Sequence, residues 1–233
     1  MTRLRLRTAN VYAANHQRNA AARAVRAGDP DAIGGQEAWW LAALAGYRRT
    51  AAHRAAGRNG AEVPVFVDNR HTYHGDGAYC VTPDLGSRVA PDRWISWQRF
   101  DVDEHRFAAI GSHVNAALQR PDGALATGPR IKWAEVHMRA LVDEVRRHRG
   151  DGFEPLVFLD ANYARRPGQR KLWRWSPHRA LARAGLTWYS HRVDGIAVPT
   201  SARVLNAGPF HIPGSDHDGF ELVVDIPRRD ARN

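Results

Sequence analysis

The sequence holds very few of the residues that staple or anchor a protein. It has one cysteine, Cys80, which excludes an intramolecular disulfide and a cysteine-built metal cluster. Cys80 lies in GAYCVTP, a strand-like run, and is expected as a buried, inert thiol. No stretch approaches the roughly 18 apolar residues of a membrane span. The opening MTRLRLRTANV alternates arginine with leucine and has no apolar run of signal-peptide length. The expectation is a soluble, intracellular, cytoplasmic protein, and no segment marks a protein partner. Lysine is nearly absent: only Lys132 and Lys171 occur, and every other basic side chain is arginine.

What is present is arginine in excess. Lysine and arginine number 34 against 24 acidic residues, a formal charge of +10. A field of that sign attracts polyanions, nucleic acid being the commonest. Compositional drift toward alanine and arginine explains part of the same excess. Apolar residues make up 43% and charged residues 25%, enough apolar surface for a sizeable core and close to a globular average. No linker composition divides the chain, so residues 1–233 are read as one domain.

Strand signals come in runs. Leu4, Leu6 and Thr8 alternate with Arg3, Arg5 and Arg7, a period-two pattern that predicts a strand from about residue 3. Residues 16–27 predict an alanine-rich helix stopped by Gly28 and Pro30. DAIGGQEA is read as a strand and WWLAALAGY as a short helix ending near Gly46. YRRTAAH, VPVFVDN and GAYCVTP follow as strands, with GRNG at 57–60 as a hairpin turn. WISWQRFDV and FAAIGSHVN form a hairpin across DEHR.

Residues 130–148 give the clearest helix, with Ile131, Trp133 or Ala134, Met138, Leu141, Val142 and Val145 on one face. LVFLDAN is a buried-type strand and HRALARAG a short helix. LTWYS, RVDGIAV, ARVLNA and FELVVDI complete the strands. The fold class expected is α+β: a four-layer α/β/β/α sandwich, two mostly antiparallel sheets packed face to face with helices outside.

Polar residues interrupt this pattern at strand ends. They are Asn10 after LRLRTA, Glu37 after DAIGGQ, His113 after FAAIGS, Asp160 and Asn162 in VFLDAN, Asp194 in RVDGI, and Asp216-His217 before the last strand. Taken singly, each has an ordinary explanation. Asn10, Asp160, Asn162 and the Asp194-Gly195 pair are turn formers. Glu37 complements a helix start, His113 is a core histidine, and 215–219 is a polar loop.

Taken in order, N…QE…SH…DxN…VDGI…SDH resembles the endonuclease/exonuclease/phosphatase superfamily from Ala9 to His217. The resemblance implies a divalent-metal-dependent phosphoesterase. It makes Glu37, with Asn10 and Asp216, the holders of Mg2+ (with Mn2+ as a substitute). Asp160 is then the residue that orients and deprotonates the attacking water. Asn162 steadies the phosphate, and His113 protonates the leaving oxygen. Asp194 supports the histidine network, and His217 contacts the phosphate or transfers the proton. A hard cation neutralises an anionic phosphodiester and polarises it toward attack, and few carboxylates suffice because such cations keep several waters.

Two departures from the usual pattern stand out. Leu159 replaces a glycine, and Gly195 follows Asp194 where an aromatic is frequent, which is expected to leave room beside the site.

Residues 165–179, RRPGQRKLWRWSPHR, carry basic groups that pair with phosphates and indoles that stack on bases. Arg165, Arg166, Arg170, Lys171, Trp173 and Trp175 are therefore substrate-binding candidates. The alternative places the two tryptophans against the core. His71 and His74 in HTYH are read as a surface turn rather than a zinc site. The favoured expectation is a nuclease on DNA or RNA. The alternatives are a phosphatase or phosphodiesterase on a small or lipid-linked ester, and an inactive nucleic-acid-binding domain.

Overall fold

The computed structural model of the protein describes residues 1–12, 14–38, 40, 41, 43–50, 62–82, 92–114, 118, 119, 124, 125, 127–164 and 173–228. Its strands are β1 (Thr2–Asn10), β2 (Ala32–Gln36), β3 (Tyr47–Arg49), β4 (Val65–Asp68), β5 (Thr72–Thr82), β6 (Arg93–Val102), β7 (His105–His113), β8 (Glu154–Asp160), β9 (Leu186–His191), β10 (Asp194–Pro199), β11 (Arg203–Phe210) and β12 (Gly219–Ile226). Its helices are α1 (Arg18–Arg26), α2 (Pro129–Gly150) and α3 (Pro177–Ala182).

The strands form two six-stranded sheets, ordered β11-β12-β1-β2-β4-β3 and β5-β6-β7-β8-β10-β9. Among the described strands β1–β2 and β7–β8 pair in parallel, and the other pairs are antiparallel.

Alternation along the strands builds the layers. Leu4, Leu6, Leu156, Phe158, Ile196 and Leu222 meet between the sheets. Val157, Leu159 and Ala197 point the other way and pack with Met138, Leu141 and Val145 of α2 and Leu181 of α3. On the far side, Ile33 and Phe66 meet Ala21 and Val25 of α1. This is the α/β/β/α sandwich. The sheets approach so closely at Gly34 that a Cβ there would sit 2.1 Å from Phe158 Cβ. No helix among the described residues is long and apolar enough to cross a membrane.

Several local expectations change. Leu41 N–H bonds Ala38 C=O (2.9 Å) and Tyr47 N–H bonds Leu44 C=O (3.0 Å), isolated turns where 39–47 predicted a helix. Leu41 and Leu44 reach the α1-side core through those turns. Trp39 and the GRNG turn lie outside the described residues. HTYH is no surface turn: β5 begins at Thr72, and His71 and His74 face different carboxylates, Asp31 at 2.9 Å and Asp101 at 2.8 Å. Cys80 is exposed rather than buried, because β5 is the outermost strand of its sheet. The Asp194-Gly195 pair does not form the hairpin turn. That turn is at Arg192-Val193, with Arg192 at φ 53, and Asp194 opens β10 paired with both His191 and Asp160.

On α2, Glu144 lies one turn before His148 and three residues before Arg147; it ion-pairs with Arg147 and hydrogen-bonds His148 Nε2 at 3.0 Å. Burial would raise its carboxyl, but these partners hold it at about 2. A carboxyl depressed on folding stabilises the fold above its unfolded pKa, and that contribution disappears as pH falls through the folded value. Glu144→Gln is therefore expected to cost roughly 1–3 kcal/mol at neutral pH, the worth of hydrogen bonds to charged groups. The native-to-variant difference in thermal melting should shrink below about pH 4.3 and vanish near 2.

Candidate active site

Strand direction gathers the polar strand ends at one edge of the sandwich. β1, β2, β7 and β8 run toward this edge, and their last residues or the ones just after them are Asn10, Glu37, His113 and Asp160. β4, β6, β10 and β12 run away from it. The residues that open or precede those strands, Glu62, Arg93, Asp194 and His217, arrive at the same place. Tyr12, Glu37, Asn162 and Arg192 hold φ of 60, 51, 46 and 53 here, backbone strain that persists only where surrounding structure enforces it.

Asp160 is the hub and is 1% exposed. Its Oδ2 accepts from Asn10 Nδ2 (3.0 Å), its Oδ1 accepts from Asn162 N–H (2.8 Å), and His113 Nε2 lies 3.4 Å from Oδ2. Asn10 Oδ1 accepts from Tyr12 N–H at 3.2 Å, so both ends of that amide are engaged. Asn162 Nδ2 donates to Val114 C=O (2.8 Å) and lies 3.1 Å from His113 Nε2.

Asp194 lies beside Asp160 and is 2% exposed. Its Oδ2 is 2.6 Å from His217 Nδ1, while its Oδ1 is buried with no hydrogen-bond partner. Burial, and then the Asp160 carboxylate, push Asp194 up to about 7. The hydrogen bond to Asp194 raises His217 to about 9. The pair therefore holds a proton at neutral pH, with Nδ1 of the ring committed to Asp194. Ser215 fixes the loop, donating to Asn10 C=O (2.8 Å) and accepting from His217 N–H (3.1 Å).

Asp160, Asp194 and His217 each offer a ligand atom, all within 4.8 Å of one another. An unpartnered carboxylate oxygen next to a second buried carboxylate is what a hard divalent cation would neutralise, so the donor set fits such an ion. Glu37 is not one of these three. It follows β2 directly, beside the Asn10–Gln36 pairing, and is half-buried. Asp216 is exposed and lines, with Asp194, His217 and Arg192, a pocket of about 170 Å³. Gly195 leaves no extra room: a Cβ there would meet Tyr189 C=O at 2.3 Å.

Four participants escaped the sequence reading. Glu62 Oε1 sits 2.7 Å from His113 Nδ1 and ion-pairs with Arg93, whose Nη1 is 3.0 Å from the same ring nitrogen. Burial would raise the Glu62 carboxyl, but His113 and Arg93 overcome it and hold it below its ordinary value. Nδ1 of His113 thus faces Glu62 and Arg93, and Nε2 faces Asp160 and Asn162. Beneath them Ser112 Oγ lies 2.6 Å from His137 Nε2; burial drives His137 down to about 3, so it is neutral. The only sequence signal for Glu62 was its place just before the buried strand β4.

Of the basic loop, Arg165, Arg166, Arg170 and Lys171 lie outside the described residues. Trp173 is 9% exposed and packs into the core, its ring 6.0 Å from that of Tyr163. Trp175 is half-buried and lines a different cleft, between α2 and α3.

This is the fold of the endonuclease/exonuclease/phosphatase proteins. No family model matches the chain, and no curated protein does. Among solved structures, it is similar to an endonuclease/exonuclease/phosphatase family protein of Bacteroides thetaiotaomicron, with TM-score 0.68 and 16% identity over 96% of this chain and 98% of that one. A mannosyl-6-phosphatase of the same organism matches with TM-score 0.67 and 14% identity over 96% of this chain and 100% of that one. D. rerio TDP2, solved with a single-strand DNA product, matches with TM-score 0.65 and 10% identity over 97% of this chain and 100% of that one.

Proposed function

We propose that the chain is a divalent-metal-dependent phosphoesterase that hydrolyses phosphodiesters in DNA or RNA. The observation that carries this reading is the buried Asp160–Asp194 pair with an unpartnered oxygen beside an Asp-held imidazolium. In the proposal Asp160 and Asp194 border a Mg2+ or Mn2+ ion, with Glu37 and Asp216 completing the site from the adjoining chain ends. The ion, when bound, would neutralise the phosphate's charge and polarise its phosphorus toward attack.

Asp160, held by Asn10 Nδ2 and Asn162 N–H, orients the attacking water and accepts its proton. Asp194 holds the His217 ring through Nδ1 and leaves Nε2–H free to donate to a phosphoryl oxygen. Asn162 adds a donor to the same charge, and Asn10 positions Asp160. His113, aligned by Glu62, supplies the proton to the departing oxygen.

The positive charge favours a polyanionic substrate, and one protein of the same fold was solved with a DNA product. The pocket's small volume, about 170 Å³, favours a second reading, a phosphatase acting on a small ester. A digestion panel separates them. The protein is expected to degrade single- or double-stranded DNA or RNA with Mg2+ and to stop with chelator. Glu37→Ala should lower that rate by roughly 10²–10⁴-fold without changing the melting profile by more than a few degrees. Phosphate release from small esters with every nucleic acid left intact would refute the nuclease reading.

A further inference from the structure

The outer layer holds a second charged concavity that the catalytic edge does not use. It is a cleft of about 370 Å³ between α2 and α3, lined by Arg139, Asp143 and Arg146 of α2, by Arg174 and Trp175, and by Arg183 just past α3. It shares no residue with the pocket around His217.

Four guanidiniums face a single carboxylate here, and that carboxylate, Asp143, is already paired with Arg146 at 3.2 Å. Arg139 and Arg183 lie 4.9 and 4.6 Å from the Trp175 ring centroid, and Arg174 lies 5.8 Å from it. Arg183 also donates to Arg174 C=O at 3.0 Å. The indole, packed against the helix-side core, therefore holds several guanidiniums in place by cation–π contact. A ring already covered by guanidiniums does not present an open face to a base. The groups offered to a ligand are N–H forks.

We propose that this cleft is a binding site for backbone phosphates of a nucleic-acid strand, separate from the catalytic pocket. The choice of nucleic acid as ligand rests on the nuclease reading above; the cleft's preference for phosphate rests on its own residues. Guanidinium forks match phosphate oxygens in bidentate geometry, and an anion would relieve the repulsion among clustered cations. At Arg183, burial first and then the guanidiniums of Arg174, Arg179 and Arg146 push the group below its ordinary pKa. A phosphate contact outside the reacting centre adds affinity and register without taking part in bond cleavage.

The test is fluorescence anisotropy of a labelled single-stranded oligonucleotide in excess chelator, over a series of salt concentrations. R139Q/R183Q should bind about tenfold more weakly than the native protein near 0.1 M salt. Its log Kd against log salt slope should fall by about 1.4, two contacts at roughly 0.7 each. R106Q/R228Q removes the same charge elsewhere, from Arg106 over Phe153 and Arg228 on Asp103 C=O, and should bind nearly as the native protein does. R139K/R183K keeps the charge and should retain the native slope, which excludes misfolding as the cause. The proposal is overturned if the native protein does not bind, if R139Q/R183Q binds like it, or if both glutamine pairs weaken binding equally. Chelator prevents turnover, so binding through these arginines without cleavage in the digestion panel contradicts the nuclease reading alone.

Discussion

Asp194→Asn is expected to yield a protein that is more stable without metal and almost inactive. The native carboxylate is buried beside Asp160, and one oxygen has no donor. An amide keeps an acceptor for His217 Nδ1 and places a donor where the unpartnered oxygen was. Because folding raises this carboxyl to about 7, the native fold loses stability as pH rises from the unfolded value near 4 through 7. The variant does not, so its advantage grows over that window.

In chelator at neutral pH the gain should be roughly 1–2 kcal/mol, or about 2–8 °C in melting temperature for a chain of this length. Hydrolysis should fall about 10²–10⁴-fold, because His217 loses the charge that holds its proton. A melting temperature that is lower at every pH would show that the carboxylate pair is not strained.

Asp160→Ala should change stability in the opposite direction. That carboxylate satisfies Asn10 Nδ2 and Asn162 N–H and faces His113 Nε2. Its removal strands buried donors at about 1–3 kcal/mol each, a total of roughly 3–5 kcal/mol and a melting temperature about 6–20 °C lower. The activity loss should equal or exceed that of Asp194→Asn, measured at a temperature where circular dichroism shows the variant folded. Two adjacent aspartates would then both be needed for turnover while one strengthens the metal-free fold and the other weakens it. Equal stability effects would argue against the hydrogen-bond assignment.

The layered fold was legible because period-two alternation in LRLRTA tells which side chains face the other sheet, while the unbroken apolar run LVFLD marks a strand buried on both faces. The edge that collects the site was legible for a related reason. A polar residue at the end of an apolar strand has no core role, so Asn10, Asp160 and His217 stood out. Glu62 and Arg93 did not, because each is one charged residue among many and its meaning lies in a partner on another strand. Trp173 and Trp175 share a sequence context, yet one enters the core and the other the α2–α3 cleft, a difference set by tertiary packing. The expected helix at 39–47 failed where Leu41 and Leu44 found burial through turns. Asp194-Gly195 misled because a turn-forming dipeptide can equally begin a strand when the chain reverses two residues earlier.

The central claim is that the buried aspartates form a cation site that phosphoester chemistry requires. Thermal melting of native protein and Asp194→Asn, with Mg2+ or Mn2+ and then with chelator, tests it most directly. At about 100 times its dissociation constant the ion should add about 2.7 kcal/mol, roughly 5–10 °C, to the native protein alone, and chelator should reverse the gain. An unchanged native melting temperature, or an equal rise in the variant, would contradict the account.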